Sequence, residues 1–367
     1  MKPNKLALLF LALLWLGLAA LSWLKPAVEI SAVERRPLAQ APELTGKAVL
    51  SGQFMTDFEA YSLDQFPFRN ALRTMKAVAM RRLFGQRDNH GIYVAQGHAA
   101  KLLYPLHEKS VQSAAQKFTD LYQTYLTESR VFLSIIPDKG RFLAEPNGYP
   151  ALEYQKLISL MQTGMPWAQY VDITGQLSLD SYYRTDPHWR QETLLGVANT
   201  LNTAMGGGPL TDTYSPVTAQ TPFYGAYFGQ AALPMAGESL SYLTSETLEN
   251  CTVFNWETGR TLQGVYAEER LTGKDPYEVY LYGASAGLEV QNPNARTARE
   301  LIVFRDSFAS SLIPLLMEDY AKITLVDIRY VAPQLLPAWL EFHGQDVLFL
   351  YSALLLNESG SLKSFSA

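Results

Sequence analysis

The chain has 367 residues, 48% of them hydrophobic and 18% charged, enough to build the core of one large or two modest globular domains. Its formal charge is −5; the first 25 residues carry three lysines and no acid, which leaves −8 for the rest, and no stretch is dense enough in Lys and Arg to form a nucleic-acid footprint. A single cysteine, Cys251, excludes an intramolecular disulfide and a cysteine-based metal cluster. The five histidines include no H-E-x-x-H and no close pair, which argues against a structural zinc site and leaves open only a scattered His/carboxylate site; no metal or cofactor is expected.

Residues 6–24 run LALLFLALLWLGLAALSWL without a charge. As a helix this run spans roughly 28 Å, close to the hydrocarbon thickness of a bilayer. Lys2 and Lys5 precede it, which favours an N-inside orientation and an extracytoplasmic body. Residues 1–25 are therefore expected to be a single-pass signal anchor in the cell membrane. A cleaved signal peptide, giving a secreted protein, is the alternative; its small-residue site, Ala20-Leu21-Ser22, lies inside the apolar run. Residues 26–49, with Pro26, Pro37 and Pro42, read as a stalk or linker, and residues 50–367 as the main domain.

From Phe54 the pattern is helical, interrupted near Pro67 and stopped at Gly85. GIYVAQGHAAKLLYP predicts a hairpin about Gly97, and residues 113–130 a helix. VFLSII (131–136) is a continuous apolar run suited to a buried parallel strand. Pro137, Asp138 and Lys139 leave its carboxyl end, where α/β sheets present ligand-binding groups. A helix over 150–163 and a short strand at 169–173 follow. In YYRTDPHWR (182–190), Pro187 disfavours helix at Asp186 and favours a helix beginning near His188, ended by the glycines at 206–208. Residues from about 209 to 296 read as an irregular excursion of short strands and loops. ELIVF (300–304), ITLVDI (323–328) and DVLFLYS (346–352) are strands separated by helical stretches at 308–320 and 332–342, an order that predicts a largely parallel sheet.

Ser307 leaves the carboxyl end of ELIVF just before a helical stretch, where nearby amide hydrogens and the helix N-terminus can stabilise an oxyanion. Asp186-Pro187-His188 supplies an imidazole base and a carboxylate to orient it. Each also has a bland reading: serine as a helix N-cap, histidine as a polar cap, aspartate as a turn former before proline. Sequence separation leaves their juxtaposition open. Among neighbouring groups, Arg184 and Arg305 suit an anionic sugar or the chain's own carboxylates. Tyr183 and Trp189 suit a sugar face or burial against the protein. Lys139 is placed to enter a cleft at its strand end, and Asp306 to cap the serine turn.

The blocks YYRTDPHWR, LIVFRDSFASSLIPLL and ITLVDIRY resemble the Asp-His-His-Trp (DHHW) family of exported proteins, which is related to the SGNH-hydrolase-like domains of the alginate O-acetylation proteins. FPFRNAL (66–72), IPDK (136–139) and FYGAYF (223–228) extend the likeness from about residue 50 almost to the end. The family's signature stands here as Asp186-Pro187-His188-Trp189, with proline where the family usually has its first histidine.

The resemblance implies an α/β, SGNH-hydrolase-like three-layer sandwich with a mostly parallel sheet, preceded by one transmembrane helix. It implies Ser307 as nucleophile, His188 as base and Asp186 as orienting acid. The glycine and asparagine that ordinary SGNH hydrolases use as oxyanion donors have no unambiguous counterpart in this sequence, so the Ser307 amide stands first for that role and Gly283 second. The implied activity is an O-acyltransferase or esterase acting on an exported polysaccharide or cell-envelope glycan, with a membrane-bound O-acyltransferase as partner. A catalytically inactive carbohydrate-binding or assembly protein of the same fold is the alternative, and a structural surface component a third.

Overall fold

The computed structural model describes residues 3–365. The chain divides into two compact units, one running to His90 and including Phe228–Met235, the other comprising Gly91–Tyr227 and Ala236–Ala367.

The first unit opens with one helix, α1 (Pro3–Leu24). Its Lys5–Ser22 window is long and apolar enough to cross a membrane and is not buried inside the protein. Lys2 lies outside the described residues. The segment expected to be a stalk carries a short antiparallel ladder, β1 (Ile30–Ser31) against β2 (Arg36–Pro37). Helices α2 (Gly46–Ser51), α3 (Gln53–Asp64) and α4 (Arg69–Leu83) follow, with the break between α3 and α4 falling at Pro67 as predicted, then β3 (Asp88–Asn89).

In the second unit, β4 (Ile92–Ala95) and β5 (His98–Lys101) form the predicted hairpin. Gln96 and Gly97 both take positive φ at its tip, as a tight two-residue turn requires. The remaining strands are β6 (Val131–Ile136), β7 (Gln169–Tyr170), β8 (Ser215–Phe223), β9 (Glu238–Thr244), β10 (Thr252–Asn255), β11 (Arg260–Gln263), β12 (Gly287–Gln291), β13 (Arg299–Arg305), β14 (Tyr320–Val326) and β15 (Asp346–Ser352). Eight of them form one sheet in the order β11-β10-β12-β14-β13-β15-β6-β7. The half from β14 to β7 is parallel, with β6, β13 and β15 at its centre.

The other half is antiparallel, which corrects the expectation of a mostly parallel sheet. The cause lies in the segment read as an irregular excursion. β10 and β11 are joined by a tight turn in which the Asn255 side chain accepts from the amides of Glu257 and Thr258 and Gly259 takes φ 65°. A short connection of this kind returns the chain antiparallel, whereas a parallel return needs a long crossover. The same segment holds the long β8–β9 ladder, which pairs outside the main sheet.

The parallel strands are apolar on both faces. Leu301 and Val303 point into one core with the Leu195–Ala204 helix and Leu312, Leu315 and Leu316. Ile302 and Phe304 point into the other, with Val111, Phe118 and Leu121 of α5 (Glu108–Leu121) and Leu157 and Met161. A sheet covered on both faces is the layered α/β arrangement anticipated from its continuous apolar runs. It holds the carboxyl ends of β6, β13 and β15 in fixed register, and the candidate site is built from what leaves the first two.

Candidate active site

β13 ends at Arg305, and the chain turns through Asp306 and Ser307 into the short Ala309–Leu312 helix. The buried Asp306 fixes this turn. One carboxylate oxygen accepts from the Phe308 amide at 3.0 Å and the other from the Ser352 amide, at the end of β15, at 2.8 Å. Ser307 is held by this frame and is partly exposed while its neighbours are buried.

The facing element is not the helix start that Pro187 suggested. Tyr182 and Trp189 form an antiparallel bridge, and the Tyr183 and Arg190 amides donate across the hairpin to His188 and Ser181 carbonyls at 3.1 and 2.8 Å. A 3₁₀ turn over Gln191–Thr193 intervenes, and the α-helix begins only at Leu195. Burial of the Trp189 ring favours the hairpin: its indole N–H donates to the Phe308 carbonyl at 2.9 Å, tying the hairpin to the serine turn.

This arrangement brings the three separated residues together. His188 Nε2 lies 2.8 Å from Ser307 Oγ, and His188 Nδ1 lies 2.6 Å from Asp186 Oδ1. The imidazole stacks on Tyr277 with centroids 4.0 Å apart, and Tyr277 is fixed in turn by its hydroxyl's bond to Ser311 Oγ at 2.8 Å. Asp186 is fully buried; its second oxygen accepts from the Ala226 amide at 2.9 Å. The Asp186 carboxylate is thus held by the Ala226 amide on one oxygen and by the imidazole on the other, which fixes the orientation of the ring.

Lys139, from the turn after β6, does not reach an open cleft. Its buried ammonium donates to the Tyr183 carbonyl and to the Asp186 carbonyl, the latter at 2.6 Å, so it braces the loop carrying the carboxylate. Burial pushes its pKa down to about 8, against the opposing pull of Asp186, Glu238 and Asp138.

The other candidates fall away from direct contact with a ligand. Tyr183 and Trp189 have no exposed surface, and Tyr183 packs with Phe223, Tyr277 and Tyr280, so neither forms a sugar platform. Arg305 is buried with Nη1 on Ser310 Oγ at 3.1 Å; burial lowers its pKa, and it presents no guanidinium to a substrate. The Gly283 amide donates to the Tyr280 carbonyl at 3.2 Å within its own turn. Among the described residues no group accepts the Ser307 amide hydrogen, which leaves that donor for an oxyanion.

Arg184 alone of these candidates is exposed. With Gln96, His98, Asp180, Tyr182, Arg190, Glu238 and Ser239 it lines a polar cleft of about 530 Å³. Two residues here escaped sequence reasoning. Glu238, at the start of β9, accepts from the Arg184 amide at 2.8 Å and from the Thr185 amide and hydroxyl at 2.8 and 2.7 Å. Gly225 approaches so closely that a Cβ added to it would lie 2.2 Å from Asp186 Cβ. A lone glutamate in the excursion carried no signal, whereas Gly225 was visible only inside FYGAYF.

No family model matches the chain, and no curated protein matches it in sequence. Solved structures do match. A DHHW family protein from Eubacterium siraeum DSM 15702 superposes with TM-score 0.60 at 16% identity, covering 74% of this chain and 95% of that one. The chain shares its fold. Bacillus cereus PatB1, whose structure with a sulfonyl adduct is known, gives TM-score 0.57 at 17% identity over 72% of this chain and 95% of its own. These likenesses establish the α/β sandwich anticipated from the sequence blocks.

Proposed function

We propose that this protein is a membrane-anchored, extracytoplasmic serine O-acyltransferase or esterase acting on an exported polysaccharide or cell-envelope glycan. The observation that carries the reading is the continuous series Asp186 carboxylate, His188 imidazole, Ser307 hydroxyl, ending on a partly exposed oxygen. Such a series activates a serine, because the imidazole can take the hydroxyl proton as the oxygen attacks.

In the first half-reaction Ser307 Oγ bonds to the acyl carbonyl carbon, and its proton passes to His188 Nε2. Asp186 accepts the Nδ1 hydrogen bond of the imidazolium, and the Ser307 amide donates to the tetrahedral oxyanion. Collapse breaks the bond to the donor's leaving atom, which departs with the proton held by His188, and leaves Ser307 acylated. In the second half a sugar hydroxyl gives its proton to His188 and attacks the acyl-serine, releasing acylated sugar and free Ser307. Water in place of the sugar gives an esterase.

The polar cleft lined by Arg184, Arg190, Asp180 and His98, none of them a member of the Asp186–His188–Ser307 series, offers mixed donors and acceptors that match sugar oxygens better than an apolar ligand. An apolar α1 held in a membrane would suit work alongside an integral O-acyltransferase that supplies acyl groups from the far side. This topology favours transfer over hydrolysis. PatB1, captured with a sulfonyl adduct on the same fold, supports a reactive nucleophile by analogy.

The test is turnover of an activated acetyl ester by the full chain, with and without glycan oligosaccharides. The expected result is a burst equal to the enzyme concentration, followed by faster turnover and acetylated sugar when acceptor is added. Sugar binding with no burst would instead support a non-catalytic glycan-binding protein.

A further inference from the structure

The helices of the first unit are the wrong way round for water. Neither α2 nor α3 has a buried residue, yet between them they carry Val49, Leu50, Met55, Phe58 and Leu63; Leu50 is 92% exposed. On α4, Leu72, Met75 and Leu83 fall within about 80° of one another at 3.6 residues per turn. Met75 and Leu83 are 66% and 77% exposed. The only buried residue of α4, Ala77, lies about 160° from the centre of that stripe. The inward side also carries charge: Arg69 and Arg73 are both paired with Glu34, Arg73 at 2.6 Å. Short helices with an unburied apolar face are marginal in water, so these need a covering surface.

The position of this face on the chain says what covers it. Gln65, buried between α3 and α4, accepts from the Val28 amide at 2.9 Å and donates to the Val28 carbonyl at 2.8 Å. Its neighbour Asp64 accepts from the Ala39 amide at 2.9 Å and pairs with Arg36 at 2.6 Å. Val28 is four residues beyond the end of α1 at Leu24. Four extended residues reach at most about 14 Å. The junction of α3 and α4 is thus tied, through the Gln65 side chain, to a residue within that distance of the end of the apolar helix. Lys76 and Arg82 flank the α4 stripe on either side, the arrangement in which long basic side chains reach headgroups while the apolar face sinks below them.

We infer that α3 and α4 lie in the interface of the bilayer that α1 spans, with Met55, Phe58, Leu72, Met75 and Leu83 at the boundary of headgroups and acyl chains. The protein would then hold the membrane at two depths: one helix across it and an apolar arm along it. This second contact does not depend on the acyl-transfer reading, but it does require α1 to be in the membrane.

The test uses the full chain, with Cys251→Ser to remove the native thiol, in nanodiscs of phosphatidylethanolamine and anionic phosphatidylglycerol. An environment-sensitive fluorophore is placed in turn by Met55→Cys, Met75→Cys, Leu83→Cys and Leu14→Cys. Lipids carry a spin-label quencher either near the headgroup or near the end of the acyl chain. The arm positions are expected to show blue-shifted emission, lost mainly to the shallow quencher; position 14 should lose its emission mainly to the deep one. Water-like emission at the arm with position 14 quenched would overturn the arm and leave the anchor standing. A blue shift at the arm insensitive to both lipids would mean that protein, a second copy or a partner, covers the face. Position 14 insensitive to both would overturn anchor and arm together.

Discussion

Alanine in place of His188 is expected to lower kcat/KM for an acyl ester by roughly ten-thousand-fold, the scale on which a serine hydroxyl loses its base. The imidazole reaches both Ser307 Oγ and Asp186 Oδ1, at 2.8 and 2.6 Å, so the carboxylate behind it cannot take its place without rebuilding the hairpin. The backbone of the hairpin is held independently by the Tyr182–Trp189 bridge and the Trp189 indole, so the variant should fold. Steady-state kinetics with circular dichroism separates the two effects. A loss under tenfold with an intact fold would assign His188 a structural part only.

Gly225→Ala is expected to lower kcat by about a hundred-fold although residue 225 touches no substrate, because small displacements of a catalytic constellation cost that much. The added methyl would meet Asp186 Cβ at 2.2 Å, Cα at 2.4 Å and the amide nitrogen at 2.6 Å. Backbone cannot swing aside as a side chain can, so the two segments must separate. That motion breaks two bonds of 2.9 Å, from the Gly225 amide to Thr185 Oγ1 and from the Ala226 amide to Asp186 Oδ2. The carboxylate then loses the contact that aims it at the imidazole. Overpacking of this kind also costs about 1–3 kcal/mol of stability, measurable by urea unfolding. Wild-type kcat in the variant would show that the Asp186 cradle has no part in turnover.

These two residues show what the sequence made legible. Strands such as VFLSII and DVLFLYS were readable because burial on both faces leaves an uninterrupted apolar run. Asp186, His188 and Ser307 could be nominated because each sits beside a boundary signal, a proline or a strand end, and because three blocks in order resemble those of a known family. Their meeting was not legible, since no local pattern encodes a contact across more than a hundred positions. Pro187 predicted a helix start, but the cross-strand bonds of a hairpin and the burial of Trp189 outweighed that local preference. The antiparallel half of the sheet was hidden for a related reason: β10 to β12 are four or five residues long, too short for period-two alternation to stand out among tyrosines and glycines. Glu238 and Lys139 act through backbone groups of the Asp186 loop, a role that only packing displays.

The central claim is that Ser307 is a nucleophile made reactive by His188. Its most direct measurement is treatment of the full chain with a sulfonyl fluoride, followed by mass mapping of the modified peptide. One adduct per chain is predicted on the peptide containing Ser307, absent from Ser307→Ala and much slower to form in His188→Ala. An adduct that forms at the wild-type rate in Ser307→Ala would contradict the account.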